Sequence, residues 1–161
     1  MMKLKFFLLL LFAWLGSSAI FAQIRYPKRE FRGAWIQCVN GQFQGMPTAQ
    51  VQQTLIQQLD NLQKAGINAI IFQVRAEGDA LYRSSYEPWS RFLTGVQGKA
   101  PSPMWDPLQF MIDECHKRGM ELHAWINPYR AKTKGTGALS PAHPVNRYPN
   151  LIVSYNGQLY F

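Results

Sequence analysis

The sequence predicts an α/β fold with a parallel sheet, and three observations carry that prediction. Segments 67–74 and 122–126 are short and almost wholly apolar, as strands covered on both faces are. Each follows an amphipathic stretch of helical length, so strands and helices alternate in the manner of right-handed βαβ crossovers. Each strand also runs into a polar cluster, 73–79 after the first and 123–130 through the end of the second. Polar groups gathered where parallel strands stop are the usual raw material of an α/β active site. An enzyme, or the relic of one, is the reading these observations favour.

The chain opens with Lys3 and Lys5, an apolar run over 6–15, and small residues up to Ala22. That order describes a secretory signal peptide, with cleavage expected after Ala22 and Ala19 as the second choice. The apolar run is short of the roughly 20 residues a membrane span needs. The expectation is an exported protein of the periplasm or cell envelope, with a signal peptide over 1–22, one domain over 23–161, and no membrane span after cleavage.

The first strand of that domain is expected over 31–37. A turn-rich stretch leads to a helix over about 48–65, with Thr48 able to cap it. Val51, Leu55, Leu59 and Leu62 form its apolar stripe, and Gly66 supplies a left-handed stop. The second strand follows at 67–75. The second helix has Asp106 as N-cap, Pro107 at the first helical position and Gln109 three residues after the cap. Leu108, Met111, Ile112 and Cys115 share one face. His116, Lys117 and Arg118 crowd the last turn, where the helix dipole favours positive charge, and Gly119 ends the helix. The third strand is expected over 121–126.

Two long connections remain. Segment 76–105 carries Tyr82, Tyr86, Trp89, Phe92 and Trp105, too aromatic a content for a floppy linker, and connections of this length are usually functional or disordered. Segment 127–150 holds four prolines and reads as irregular. Beyond it, 151–155 and 158–161 flank Asn156-Gly157, the strongest short hairpin signal.

The formal net charge is +8, and loss of Lys3 and Lys5 with the signal lowers it by two. A basic exported protein favours anionic polymers, though scattered pairs such as Lys28-Arg29 and Lys117-Arg118 serve solubility equally well. Nothing resembles a nucleic-acid module. Cys38 and Cys115, the only cysteines, have no metal-ligand spacing around them, and two buried thiols are expected rather than a disulfide. No metal site or cofactor is implied, and no phosphate loop, dinucleotide fingerprint or nucleophile elbow is present.

Strand alternation sorts the candidate residues. Ile70, Phe72 and Val74 share the helix-facing side of the second strand; Ala69, Ile71, Gln73 and Arg75 share the other. In the third strand His123, Trp125 and Asn127 lie opposite Leu122, Ala124 and Ile126, and in the first Gly33, Trp35 and Gln37 point inward. Alternation selects Gln73, Arg75, His123, Trp125 and Asn127, and Asp79, Trp89, Tyr129 and Arg130, from the segments beyond the strand tips, complete the candidate substrate-binding set. Each also has an ordinary structural role open to it. Arg75 with Glu77 or Asp79 reads equally as a loop brace, His123 as a hydrogen-bonded core histidine, and Trp89 and Trp125 as packing. Asp79 is the best in-chain candidate for acid–base work. Glycoside hydrolysis needs two carboxylates roughly 5–10 Å apart, and only Glu77, Asp79 and Glu87 lie near the mouth.

The segments Phe31-Arg32-Gly33-Ala34-Trp35-Ile36, Gly66 to Arg75, Gly78-Asp79-Ala80, Glu87-Pro88-Trp89-Ser90, His116-Lys117-Arg118-Gly119 and Glu121 to Arg130 together resemble the glycosyl hydrolase-like 10 family. The resemblance implies a (β/α)8 TIM-type barrel that acts on bacterial envelope glycan, with polysaccharide or peptidoglycan as substrate. It also implies an Asp-Asp catalytic pair on a later strand that is not present in this sequence. An eight-unit barrel takes about 250 residues, which 23–161 does not reach. The expectation is the N-terminal portion of such a barrel, an incomplete fold whose main catalytic carboxylates lie beyond this chain. A non-catalytic glycan-binding protein and an inactive remnant are the alternatives.

Overall fold

A computed structural model describes residues 30–161; the export signal expected over 1–22 lies outside the described residues. The architecture is α/β. Strands β1 (Gly33–Ile36), β2 (Ala69–Arg75) and β3 (Glu121–Ile126) form a parallel sheet in the order β1-β2-β3. Helix α1 (Thr48–Lys64) connects the first pair. The second connection contains a single turn, α2 (Arg91–Thr94), and then α3 (Pro107–Lys117). Three successive parallel strands with helical crossovers are the way a (β/α) barrel begins.

The helices cover one face of the sheet. Val51, Leu55 and Leu59 of α1 and Met111 and Cys115 of α3 join Ile36, Ile70, Phe72 and Val74 in one buried cluster. Each of these large side chains contributes about 1.5–3 kcal/mol by leaving water. The helix-facing alternation expected for β2 is therefore observed. Cys38 and Cys115 are buried free thiols, and burial pushes them up to about 12 and about 11, so neither supplies a ready thiolate.

Local signals account for most boundaries. Asp106 caps α3 by accepting from the Gln109 N–H at 3.1 Å, and its other oxygen accepts from the Arg83 N–H at 2.9 Å. Gly66 and Gly119 end the long helices with positive φ. The Arg118 guanidinium bridges the helices, bonding Asp60 at 2.7 Å and Glu114 at 2.7 Å. Thr48 is not the cap of α1: Pro47 holds that position and no side chain caps the helix. Pro47 supplies the extended entry to the helix, and the Thr48 hydroxyl points instead to the Pro103 carbonyl at 3.4 Å.

Segment 127–150 differs from the irregular stretch expected. It contains β4 (Arg130–Lys132) and a short helix, α4 (Pro144–Arg147), followed by a 3-10 turn at Pro149–Leu151. The expected hairpin is present as β5 (Val153–Tyr155) and β6 (Gln158–Tyr160), with Asn156 and Gly157 both at positive φ, as a tight primed turn requires. β4 pairs with β6, giving a second, antiparallel sheet in the order β4-β6-β5.

Candidate functional site

The tips of β2 and β3 are bonded to each other. The Asn127 N–H donates to the Arg75 carbonyl at 2.9 Å, and the Arg75 guanidinium donates back to the Asn127 carbonyl. The Asn127 amide donates to the Ala76 carbonyl at 3.2 Å and accepts from the Trp125 indole N–H at 2.9 Å. Arg75, Trp125 and Asn127 therefore form one connected group at the C-terminal ends of neighbouring parallel strands. The register explains the arrangement. Gln73 lies opposite Trp125, but a shift then places Arg75 opposite Ile126. Irregularities of this kind re-aim side chains next to functional sites.

Arg75 is braced by neither Glu77 nor Asp79. Its Nε meets Glu87 at 2.6 Å, because the connection after β2 returns to the strand tip. A bridge between Ala80 and Trp89 closes that return. The guanidinium also lies 5.5 Å from the centre of the Phe161 ring.

The two acids nearest the tip are buried and fully engaged. Glu77 accepts from Thr133 at one oxygen, and from Thr136 (2.8 Å) and Arg91 (3.2 Å) at the other. Its carbonyl accepts from His143 Nε2 at 2.6 Å. His143 Nδ1 accepts from the Val145 N–H, so the proton must sit on Nε2. Gly78 lies between these partners at φ +68°, where a Cβ would stand 2.9 Å from His143 and 3.1 Å from Phe161; only glycine fits. Asp79 has no exposed surface. It accepts from the Glu77 N–H at 3.3 Å and from Gln97 at 3.2 Å. Burial nevertheless drives its pKa upward, outweighing the hydrogen bonds from Gln97, Ser90 and the backbone.

The other candidates divide between packing and open surface. Gln73 is buried and accepts from the Cys38 N–H at 3.1 Å. Trp89 is half-buried and packs on the hydrophobic core, which leaves its indole little area for a ligand. His123 lies on the open sheet face in the same row as Trp35 and Ile71, paired with Glu121 at 3.2 Å and edge-on to Phe31. Trp35 and Trp125 meet edge to face with centroids 4.9 Å apart and line a cavity of about 510 Å³ with Gln37, Asn40, Gln42 and Gln58. Tyr129 is 71% exposed, and Arg130 is exposed at the start of β4. Among the described residues no group of His, Cys, Asp or Glu is arranged to hold a metal ion, and no helix is long and apolar enough to cross a membrane.

Sequence reasoning missed Arg91, Thr133, Thr136 and His143. The available signals were slight: two threonines three apart, and a His-Pro pair able to open a helix. All four bond to a residue far away in the chain, which no local pattern reveals.

Comparison with known proteins places this architecture. The family described as Glycosyl hydrolase-like 10 matches over residues 30–158. The chain is 45% identical over 139 residues to Glycosyl hydrolase YngK of Bacillus subtilis (strain 168), a match covering 83% of this chain and 27% of that protein. It is 56% identical over 79 residues to Glycosyl hydrolase DigH of Escherichia coli (strain K12), covering 49% of this chain and 18% of that protein. The chain thus spans about a quarter of one relative and under a fifth of the other. With the family match extending from β1 to the last strand, this chain belongs to the glycosyl hydrolase-like 10 family.

Proposed function

We propose that this chain forms the glycan-holding face of an exported glycoside hydrolase-like (β/α)8 barrel whose substrate is bacterial cell-wall glycan. The observation that carries the reading is the joined tip of β2 and β3, where Arg75, Trp125 and Asn127 converge. The exposed Arg130 suits carboxylate and hydroxyl groups, while Arg75, paired with Glu87, holds the joined tip in place. Trp125 and the exposed Tyr129 offer flat apolar faces to sugar rings. Membership of a glycosyl hydrolase-like family, the names of the relatives and the basic–apolar–small order of residues 1–22 all support it.

In this reading the carboxylates that cut the bond lie outside residues 30–161. Glu77 and Asp79 are buried and engaged, and Glu87 is neutralised by Arg75, so none forms an open pair across a glycosidic bond. Asp79 serves as a positioning group behind the cleft. The same burial favours a second reading, in which the protein holds glycan without cutting it.

Full-length protein incubated with peptide-stripped glycan strands separates the two. Release of new reducing ends is the expected result; retention of the strands without new ends sustains the binding-only reading. Arg130→Ala is expected to weaken retention at least about tenfold, the loss of one charge-assisted contact. Full-length protein that neither retains nor cuts the strands would sink both readings.

A further inference from the structure

We propose that Arg147, held by the Tyr86 carbonyl and the Tyr148 side chain, forms a carboxylate-binding subsite for an acidic sugar residue of the polymer. The proposal rests on the glycan reading above.

Arg147 is held but not neutralised. One terminal nitrogen donates to the Tyr86 carbonyl at 2.9 Å and the other to the Tyr148 hydroxyl at 3.2 Å. Its guanidinium carbon lies 5.3 Å from the centre of the Tyr148 ring. No carboxylate pairs with it among the described residues, whereas Arg75, Arg91 and Arg118 each have an acidic partner. A guanidinium carries five N–H donors, so most of the fork stays open. Ordering a long cationic side chain ordinarily opposes binding. Here protein groups already fix it, and the open donors suit the bidentate geometry of a carboxylate.

The surroundings suit a sugar. Tyr148, whose ring lies against the guanidinium, is 49% exposed, so an aromatic face is open beside the cation, as a ring-bearing anion requires. A free inorganic anion would have no use for it.

The subsite is also fastened to the strand tips. Arg147 closes α4, whose N-cap is the fully buried His143 bonded to the Glu77 carbonyl. Tyr86 directly precedes Glu87, the partner of Arg75. A continuous path of contacts therefore runs from Arg75 through Glu87 and Tyr86 to Arg147. Arg75 is already neutralised by Glu87, so the open cation along this path is Arg147.

Binding of full-length protein to peptide-stripped cell-wall glycan strands, and to the same strands with their carboxyls reduced to alcohols, tests this by calorimetry. Arg147→Ala is expected to weaken binding of the native strands about tenfold while leaving the reduced strands unaffected. Arg147→Lys, which keeps the charge and loses the fork, is expected to recover only part of that loss. Wild-type binding that Arg147→Ala leaves unchanged, or lowers equally for both polymers, overturns this proposal and leaves the glycan reading standing. Wild-type protein that binds neither polymer overturns both.

Discussion

Asp79 and Arg75 lie four positions apart, yet one is lost to the interior and the other lies at the strand tips. Strand position made Arg75, Trp125 and Asn127 legible in the sequence, because alternation and the end of an apolar run together mark a strand tip. The fate of Asp79 was not legible, because it depends on Ser90 and Gln97 returning over it from a loop. Its raised pKa has a consequence for stability. The folded protein holds that proton more tightly than the unfolded chain, so the stabilisation is complete below the ordinary carboxyl range. It is lost as pH rises through the raised folded value. Glu114 acts in the opposite sense. Hydrogen bonds from Lys117 and Arg118 lower its pKa, so its contribution fades as pH falls. Comparison with Asp79→Asn removes that background. The stability of wild type minus that of Asp79→Asn, from denaturant unfolding between pH 4 and pH 7, is expected to fall as pH rises. Its slope should be at most about 1.4 kcal/mol per pH unit. A flat or rising difference would contradict the assignment.

Among the elements, those with an internal period were legible and those without were not. β2, β3, α1 and α3 fall within two residues of their expected bounds, because their apolar stripes and glycine stops, and the Asp106 cap of α3, are written locally. β4 and α4 span three and four residues, too short for any period to register. β4 also exists only through pairing with β6, far along the chain. What joins these short elements to the strand tips is Glu77. Its side chain gathers Thr133, Thr136 and Arg91, and its carbonyl holds His143. Replacing Glu77 by Ala strands Arg91 without a counter-charge and removes the carboxylate acceptor of Thr133 and Thr136, whose hydroxyls keep each other at 3.0 Å. Breaking a buried ion pair in this way costs about 3–5 kcal/mol. Arg91 keeps a fifth of its side chain exposed, which places the expected loss near the lower figure. Denaturant unfolding measures the loss. Limited proteolysis should show cleavage within 133–143 in Glu77→Ala before any appears in wild type. A variant as stable and protease-resistant as wild type would remove Glu77 from this role.

At the scale of the whole molecule, the parallel sheet and the helix-covered face of β2 were read correctly from alternation, whereas Ala124 and Ile126 of β3, expected toward the helices, are exposed; alternation is also silent on how far a sheet extends. Among the described residues β1 and β3 each pair on one side only, with β2. The face away from the helices presents Trp35 at 66% exposure, with Phe31 at 61% beside it, and Ile126 at the end of β3 is 49% exposed. Unpaired edges next to large apolar side chains template further strand pairing, and contiguous apolar surface of this kind marks interaction or aggregation. A polypeptide of residues 30–161 produced alone is therefore expected to self-associate at concentrations on the order of 100 μM and to bind a hydrophobic dye. Ile126→Lys places a charge on the β3 edge, where natural sheets use lysine to block pairing. It should shift the sedimentation profile toward monomer without changing the circular dichroism spectrum. A wild-type polypeptide that stays monomeric and dye-free at that concentration would show that these edges and this face are not adhesive.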